Sequence, residues 1–73
     1  MNAFDKYLEF EKKINKLEEL GKWEEAEKMT DKQIFLRNEN FTKEDWLKLI
    51  EDAKGSKRAV FEYTLMMKER FPE

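Results

Sequence analysis

Carboxylates are the most abundant groups in this chain that could carry out acid–base or metal-binding chemistry. A cluster of them surrounds one glycine: Glu18 and Glu19 precede Gly21, and Glu24, Glu25 and Glu27 follow it. Paired carboxylates transfer protons efficiently only where a cleft holds them and separates their pKa values. These side chains are interleaved with lysines around a predicted helical corner, and the spacing of EF-hand calcium ligands is absent. We therefore expect neither a catalytic nor a metal site here.

The residue inventory also argues against an enzyme. The chain contains no histidine and no cysteine, which removes the commonest metal ligands, the commonest general base and the best nucleophile. The sequence patterns GxxxxGK, GxGxxG, GxSxG and HExxH are absent as well. We expect a non-enzymatic protein without a cofactor. The lack of cysteine, of a leader and of a long apolar run leads us to expect a cytoplasmic protein with no membrane segment.

A basic turn is the one candidate for binding an anion. It contains Lys54, Ser56, Lys57 and Arg58 at the start of a predicted helix, where free amide groups attract anions. A solvated turn is the other interpretation. The 15 Lys and Arg against 17 Asp and Glu give a net charge of -2, which argues against an extensive nucleic-acid surface. A DNA- or RNA-binding regulator that uses this turn and the helix after it is therefore the alternative function.

Local signals divide the chain into helices and turns. Gly21 is predicted to end the first helix, because glycine accepts the left-handed conformation found there. The asparagines of residues 37–40 are predicted to end the second helix. Thr42 and Asp45 form a capping-box pattern at the start of the third, and Ser56 caps the fourth. The predicted helices cover residues 3–20, 22–37, 43–54 and 57–70.

Apolar spacing predicts which faces pack together. On helix one the inward positions form a narrow seam and are Ala3, Tyr7, Phe10, Ile14 and Leu17. On helix two they are Trp23, Ala26, Thr30, Ile34 and Arg37, with Met29 and Leu36 along the edge. On helix three they are Trp46, Leu49, Ile50 and Ala53. On helix four they are Ala59, Val60, Tyr63, Met66, Met67 and Phe71.

Two pairs of apolar residues fall outside these faces. Phe61 and Leu65 point nearly opposite to the inner arc of helix four, so the other three helices bury them or they form a partner surface. Phe4 and Leu8 lie off the seam of helix one, where they either contact the C-terminal helix or form an exposed patch. All four residues are candidate protein-interaction residues.

Two segments are similar to known families. The sequence LEELGKWEEAEKM at residues 17–29 resembles the inner turn of a tetratricopeptide repeat, and Gly55 follows Gly21 at that family's period of 34 residues. This resemblance implies a helical hairpin and suggests peptide binding. The segment GSKRAVFEYT at residues 55–64 resembles the recognition-helix region of tetracycline-repressor-type regulators, which would imply DNA binding.

The 73 residues are thus predicted to form a single all-α domain. Four short helices make two antiparallel αα-hairpins, joined at residues 37–40, in a small orthogonal or bundle-like arrangement. The expected function is that of a small protein-binding adaptor, regulator or inhibitor, such as a phage-type accessory protein. The expected partner is another protein, and a second copy of the chain is a further candidate.

Overall fold

A computed structural model describes residues 2–72 and confirms the all-α prediction. Within that range the chain contains no strand, and its helices are α1 (Ala3–Glu19), α2 (Trp23–Asn40), α3 (Lys43–Asp52) and α4 (Lys57–Arg70). Helix α1 packs on α2, and α3 packs on α4. The chain divides into two compact units, the first ending at Asn40 and the second beginning at Phe41. Each unit is one of the predicted hairpins.

The turn between α1 and α2 depends on Gly21. This residue has a φ of 73°, in the left-handed region that glycine enters without the steric cost of a Cβ atom. The amide of Gly21 donates to the carbonyl of Glu18 at 3.0 Å, and the amide of Lys22 donates to the carbonyl of Leu17 at 2.9 Å. These two bonds form a Schellman motif and satisfy carbonyls that the helix end would leave free. The three-residue turn makes α1 and α2 antiparallel, as predicted.

The interface between α1 and α2 follows the predicted seam of α1. Tyr7 and Ile14 are buried, and the other three seam residues are half-buried. On α2 the buried residues are Ala26 and Gln33. Ala26 is 3% exposed and lies in the first turn of α2.

The predicted inward stripe of α2 is partly wrong. Trp23 is 65% exposed and Ile34 is 38% exposed, whereas Gln33 is only 6% exposed. The buried positions Ala26 and Gln33 are seven residues apart, with half-buried Thr30 between them. The inward face of α2 is therefore rotated away from Trp23 and Ile34. The buried amide of Gln33 is tolerated because it donates hydrogen bonds to two acceptors on α1.

The predicted end of α2 is also wrong. We expected residues 37–40 to leave the helix, but α2 continues through Asn40. Arg37 and Asn38 are half-buried, and Arg37 Nε donates to Asn38 Oδ1 at 3.3 Å. A side-chain amide that is already hydrogen-bonded competes less with the helical backbone. Packing therefore outweighs the weak helix propensity of asparagine.

The second hairpin starts at the predicted capping box. The Asp45 amide donates to Thr42 Oγ1 at 3.2 Å, and the Thr42 amide donates to Asp45 Oδ2 at 3.0 Å. Phe41 packs edge-on against Trp46, with ring centroids 5.5 Å apart, so a hydrophobic staple accompanies the capping box. These reciprocal contacts fix where α3 begins.

Trp46 and Leu49 are the buried core of the second hairpin. Trp46 has no exposed surface, Leu49 is 3% exposed, and the Tyr63 ring of α4 lies 6.4 Å from the Trp46 ring. Helix α3 ends at Asp52, two residues before the predicted end, and Ala53 is its C-cap. On α4 the whole predicted inner arc is half-buried and no residue is fully buried. One side of α4 therefore packs on α3, and no residue of α4 is fully removed from solvent.

Candidate interaction surfaces

The predicted surface on α4 faces solvent. Phe61 is 65% exposed and Leu65 is 48% exposed, and their spacing of four residues places them on one side of the helix. These two side chains are therefore not part of the core of their own hairpin. Their role in binding a partner stays a prediction. The other predicted pair, Phe4 and Leu8, is half-buried, so these residues contribute less accessible apolar surface.

The basic turn is highly exposed and carries its own counter-charges. Lys54 Nζ lies 3.0 Å from Glu51 Oε1, and Arg58 Nε lies 3.1 Å from Glu62 Oε1. Ser56 Oγ accepts a hydrogen bond from the Ala59 amide at 3.3 Å, as expected of an N-cap. An anion at this turn would compete with that cap and with both carboxylates. Exposed ion pairs are weak, so the nucleic-acid alternative stays a prediction.

The first hairpin carries a groove that the sequence did not reveal. It runs along one side of α1 and α2 as two depressions of about 460 and 290 Å³, which share Lys13. We call it the lysine groove. Its apolar lining comes from both helices and comprises Phe10, Leu17, Leu20, Met29, Phe35 and Leu36.

The base of the lysine groove is less exposed to solvent than its edges. Phe10, Leu17, Met29 and Leu36 are half-buried and form the base. Phe35 and Leu20 are 67% and 61% exposed, so each can be covered by an incoming molecule. Exposed apolar side chains arranged along a concave surface are typical of protein- and ligand-binding sites.

Charged side chains line the same groove. They are Lys6, Lys13, Lys16 and Lys32, all exposed, together with the single carboxylate of Glu9. A lysine side chain covers apolar surface with its methylene groups while its ammonium stays in water. The groove is therefore apolar at its base and positively charged at its rim, although the chain as a whole carries a net charge of -2.

Hydrogen bonds of Gln33 hold the two helices that form the groove. Its Nε2 donates to the Tyr7 carbonyl at 3.2 Å and to Glu11 Oε2 at 3.0 Å, so one buried amide bridges α2 to α1. A buried amide with two acceptors is stabilising, and it favours one register of the helix pair over others. The relative position of the two helices is therefore specified by polar as well as apolar contacts.

Part of this site could have been found in the sequence. Lysines at positions 6, 13 and 16 lie on one flank of the α1 seam, next to Phe10 and Leu17. The contribution of α2 gave a weaker signal, because Phe35 fits no apolar stripe. It becomes part of a site only through the rotation of α2 about its axis.

Within residues 2–72 no group of three or more carboxylates is placed to hold a metal ion. Among the same residues, no helix combines the length and apolar character needed to cross a bilayer. No family model, curated protein or solved structure matches the chain.

Proposed function

We propose that this protein is a small, non-enzymatic protein-binding module that acts as an adaptor, regulator or inhibitor of a larger protein. The lysine groove is the observation that carries the proposal. A helix pair usually buries its apolar residues between its members, whereas here Phe35 is 67% exposed on a concave surface. The peptide-binding role suggested by the resemblance to a tetratricopeptide hairpin agrees with this location.

Size and composition support the same proposal. Chains of 73 residues have small cores, and an apolar side chain left in water does nothing to stabilise them. Aromatic residues are enriched where protein surfaces bind each other, and one such residue often provides much of the binding energy. We place the protein in the cytoplasm as part of this proposal, because a chain without cysteine suits a reducing compartment.

Affinity capture with matched variants tests the proposal. Wild-type protein, Phe35→Ser and Trp23→Ser are immobilised and exposed to a lysate of the native host, and the retained proteins are quantified by mass spectrometry. Phe35 and Trp23 are nearly equally exposed, at 67% and 65%, but only Phe35 lines the groove. Loss of an aromatic contact that contributes strongly to an interface typically weakens binding by roughly ten-fold.

The expected result is a protein that the wild type and Trp23→Ser retain and that Phe35→Ser loses. Circular dichroism should show that both variants keep the helix content of the wild type. If all three proteins retain the same set in the same amounts, the groove does not bind a partner, and the assignment of the binding function to it is wrong.

A further inference from the structure

The lysine groove is positively charged, although the protein contains more acidic than basic residues. Four lysines and one glutamate line it, although the chain contains 15 Lys and Arg against 17 Asp and Glu. Within residues 2–72 none of these four lysines is in an ion pair, whereas Lys54 and Arg58 elsewhere in the chain are. The groove thus gathers ammonium groups that have no carboxylate partner among the described residues.

The shape of the groove suits an extended, convex ligand. Its lining on α1 and the C-cap of that helix runs from Lys6 to Leu20, which corresponds to about 21 Å at the rise of a helix. A helix of about 14 residues, or four turns, has the same length. Amphipathic helices commonly bind by placing their apolar face in such a groove between two helices.

From these observations we propose that the lysine groove binds an acidic amphipathic helix of the partner protein. The apolar face of that helix covers Phe35 and the half-buried base, while its flanking carboxylates meet Lys6, Lys13 and Lys32. Charge complementarity of this kind accelerates association and selects partners, in addition to the apolar contact. This inference rests on the proposed protein-binding function and specifies the chemistry of its ligand.

Two other anionic partners fit the groove less well. A membrane surface is flat, so it would meet the lysines of the rim and leave the apolar base between the two helices uncovered. Single-stranded nucleic acid stacks its bases on aromatic rings, but most of the apolar lining is leucine and methionine, with only Phe10 and Phe35 aromatic. Both are included as competitors in the test.

Binding of synthetic peptides to the 73-residue chain tests the inference directly. The first probe is a helical peptide of about 16 residues with leucines along one face and glutamates on both flanks. The second has lysine in place of every glutamate, and the third is a scrambled version of the first. Binding is measured by fluorescence anisotropy at low and moderate salt, and the site is located by amide chemical-shift changes in the ¹⁵N-labelled protein.

The acidic amphipathic peptide should bind roughly ten-fold or more tightly than either control, with a preference that falls as salt rises. Shift changes should be confined to α1 and α2. The double variant Lys13→Glu/Lys32→Glu should weaken binding of the acidic peptide by roughly five- to ten-fold and strengthen binding of the basic one. Lys12→Glu/Lys48→Glu, which changes net charge equally at exposed positions outside the groove, should leave the preference unchanged.

Other outcomes would overturn the inference in distinguishable ways. Equal binding of the acidic and basic peptides in the groove would leave the proposed function standing and would show that the groove does not select an acidic helix. Tighter binding of an oligothymidylate or of anionic lipid vesicles at the same residues would assign the groove to another class of ligand. No binding of any peptide to α1 and α2 would also reject the inference, and the Phe35→Ser capture experiment would then decide the proposed function independently.

Discussion

Replacing Gln33 by glutamate tests whether the buried hydrogen bonds between α1 and α2 stabilise the first hairpin. The substitution keeps the size and shape of the side chain but exchanges the donating NH₂ group for an oxygen. That oxygen would face the Tyr7 carbonyl and Glu11 Oε2, which now lie 3.2 and 3.0 Å from Gln33 Nε2. Gln33 is 6% exposed, so water cannot readily replace the lost partners.

The expected cost follows from these contacts. The two lost hydrogen bonds contribute about 1 kcal/mol each. Two carboxylates about 4 Å apart repel each other by up to about 4 kcal/mol at an effective dielectric constant of about 20. Because Glu11 is exposed and can turn toward water, we expect a total loss of about 2 to 4 kcal/mol at neutral pH. The whole chain of 73 residues is expected to have a stability of only about 4 to 11 kcal/mol.

Urea unfolding followed by circular dichroism measures this loss as a function of pH. The folded environment raises the pKa of the introduced carboxyl group above its unfolded value, because burial and Glu11 both disfavour the ionised form. Destabilisation should therefore be small below the unfolded pKa. It should grow as the pH rises from the unfolded to the folded pKa and remain constant above that.

Two companion variants isolate the cause. Gln33→Met removes both hydrogen bonds without adding charge, and it should cost only about 1 kcal/mol because the buried amide also disappears. The double variant Gln33→Glu/Glu11→Gln exchanges donor and acceptor, so it should recover a large part of the loss. If Gln33→Glu is no less stable than Gln33→Met at neutral pH, the introduced carboxylate does not face the Tyr7 carbonyl and Glu11 Oε2 as described, and the reasoning is refuted.

Three further predictions use the same unfolding measurement. Gly21→Ala should lower the free energy of unfolding by about 1 kcal/mol, because φ is 73° at this position although a Cβ atom would meet nothing within 4 Å. Gly55→Ala should lower it by less than about 0.5 kcal/mol, because the space is equally open there and φ is not positive. Thr42→Ala should cost about 1 kcal/mol by removing the cap of α3, and an unchanged midpoint would contradict that role. Phe61→Ser/Leu65→Ser should change the free energy of unfolding by less than about 1 kcal/mol, because both side chains are largely exposed. The same variant should weaken any association measured by light scattering. A large loss of stability would show instead that the two residues support the fold.

Local sequence signals predicted the ends of most helices. Gly21 has the left-handed conformation that its position indicated, and Ser56 accepts the Ala59 amide at 3.3 Å as the predicted N-cap. Thr42 and Asp45 form the predicted capping box. These features depend on backbone and side-chain groups only a few residues apart, so a short stretch of sequence contains all the information that they need.

Burial on α1 could be predicted for a related reason. Its apolar residues fall at alternating spacings of four and three on a single narrow seam, and Tyr7 and Ile14 on that seam are buried. A helix with one narrow apolar face has only one orientation that buries it. Sequence and structure therefore agree on which side of α1 is inward.

The sequence by itself thus determined the helical class, the two hairpins, the caps and the inward side of α1. Only the tertiary structure decided the rotation of α2, the burial of Gln33, the exposure of Trp23 and the place of Phe35 in the lysine groove. The apolar residues of α2 are spread around its circumference, so several rotations bury similar areas. The contacts that choose among them join residues more than 20 positions apart, such as Gln33 with Tyr7 and Glu11. Such contacts exist only after the two helices have packed.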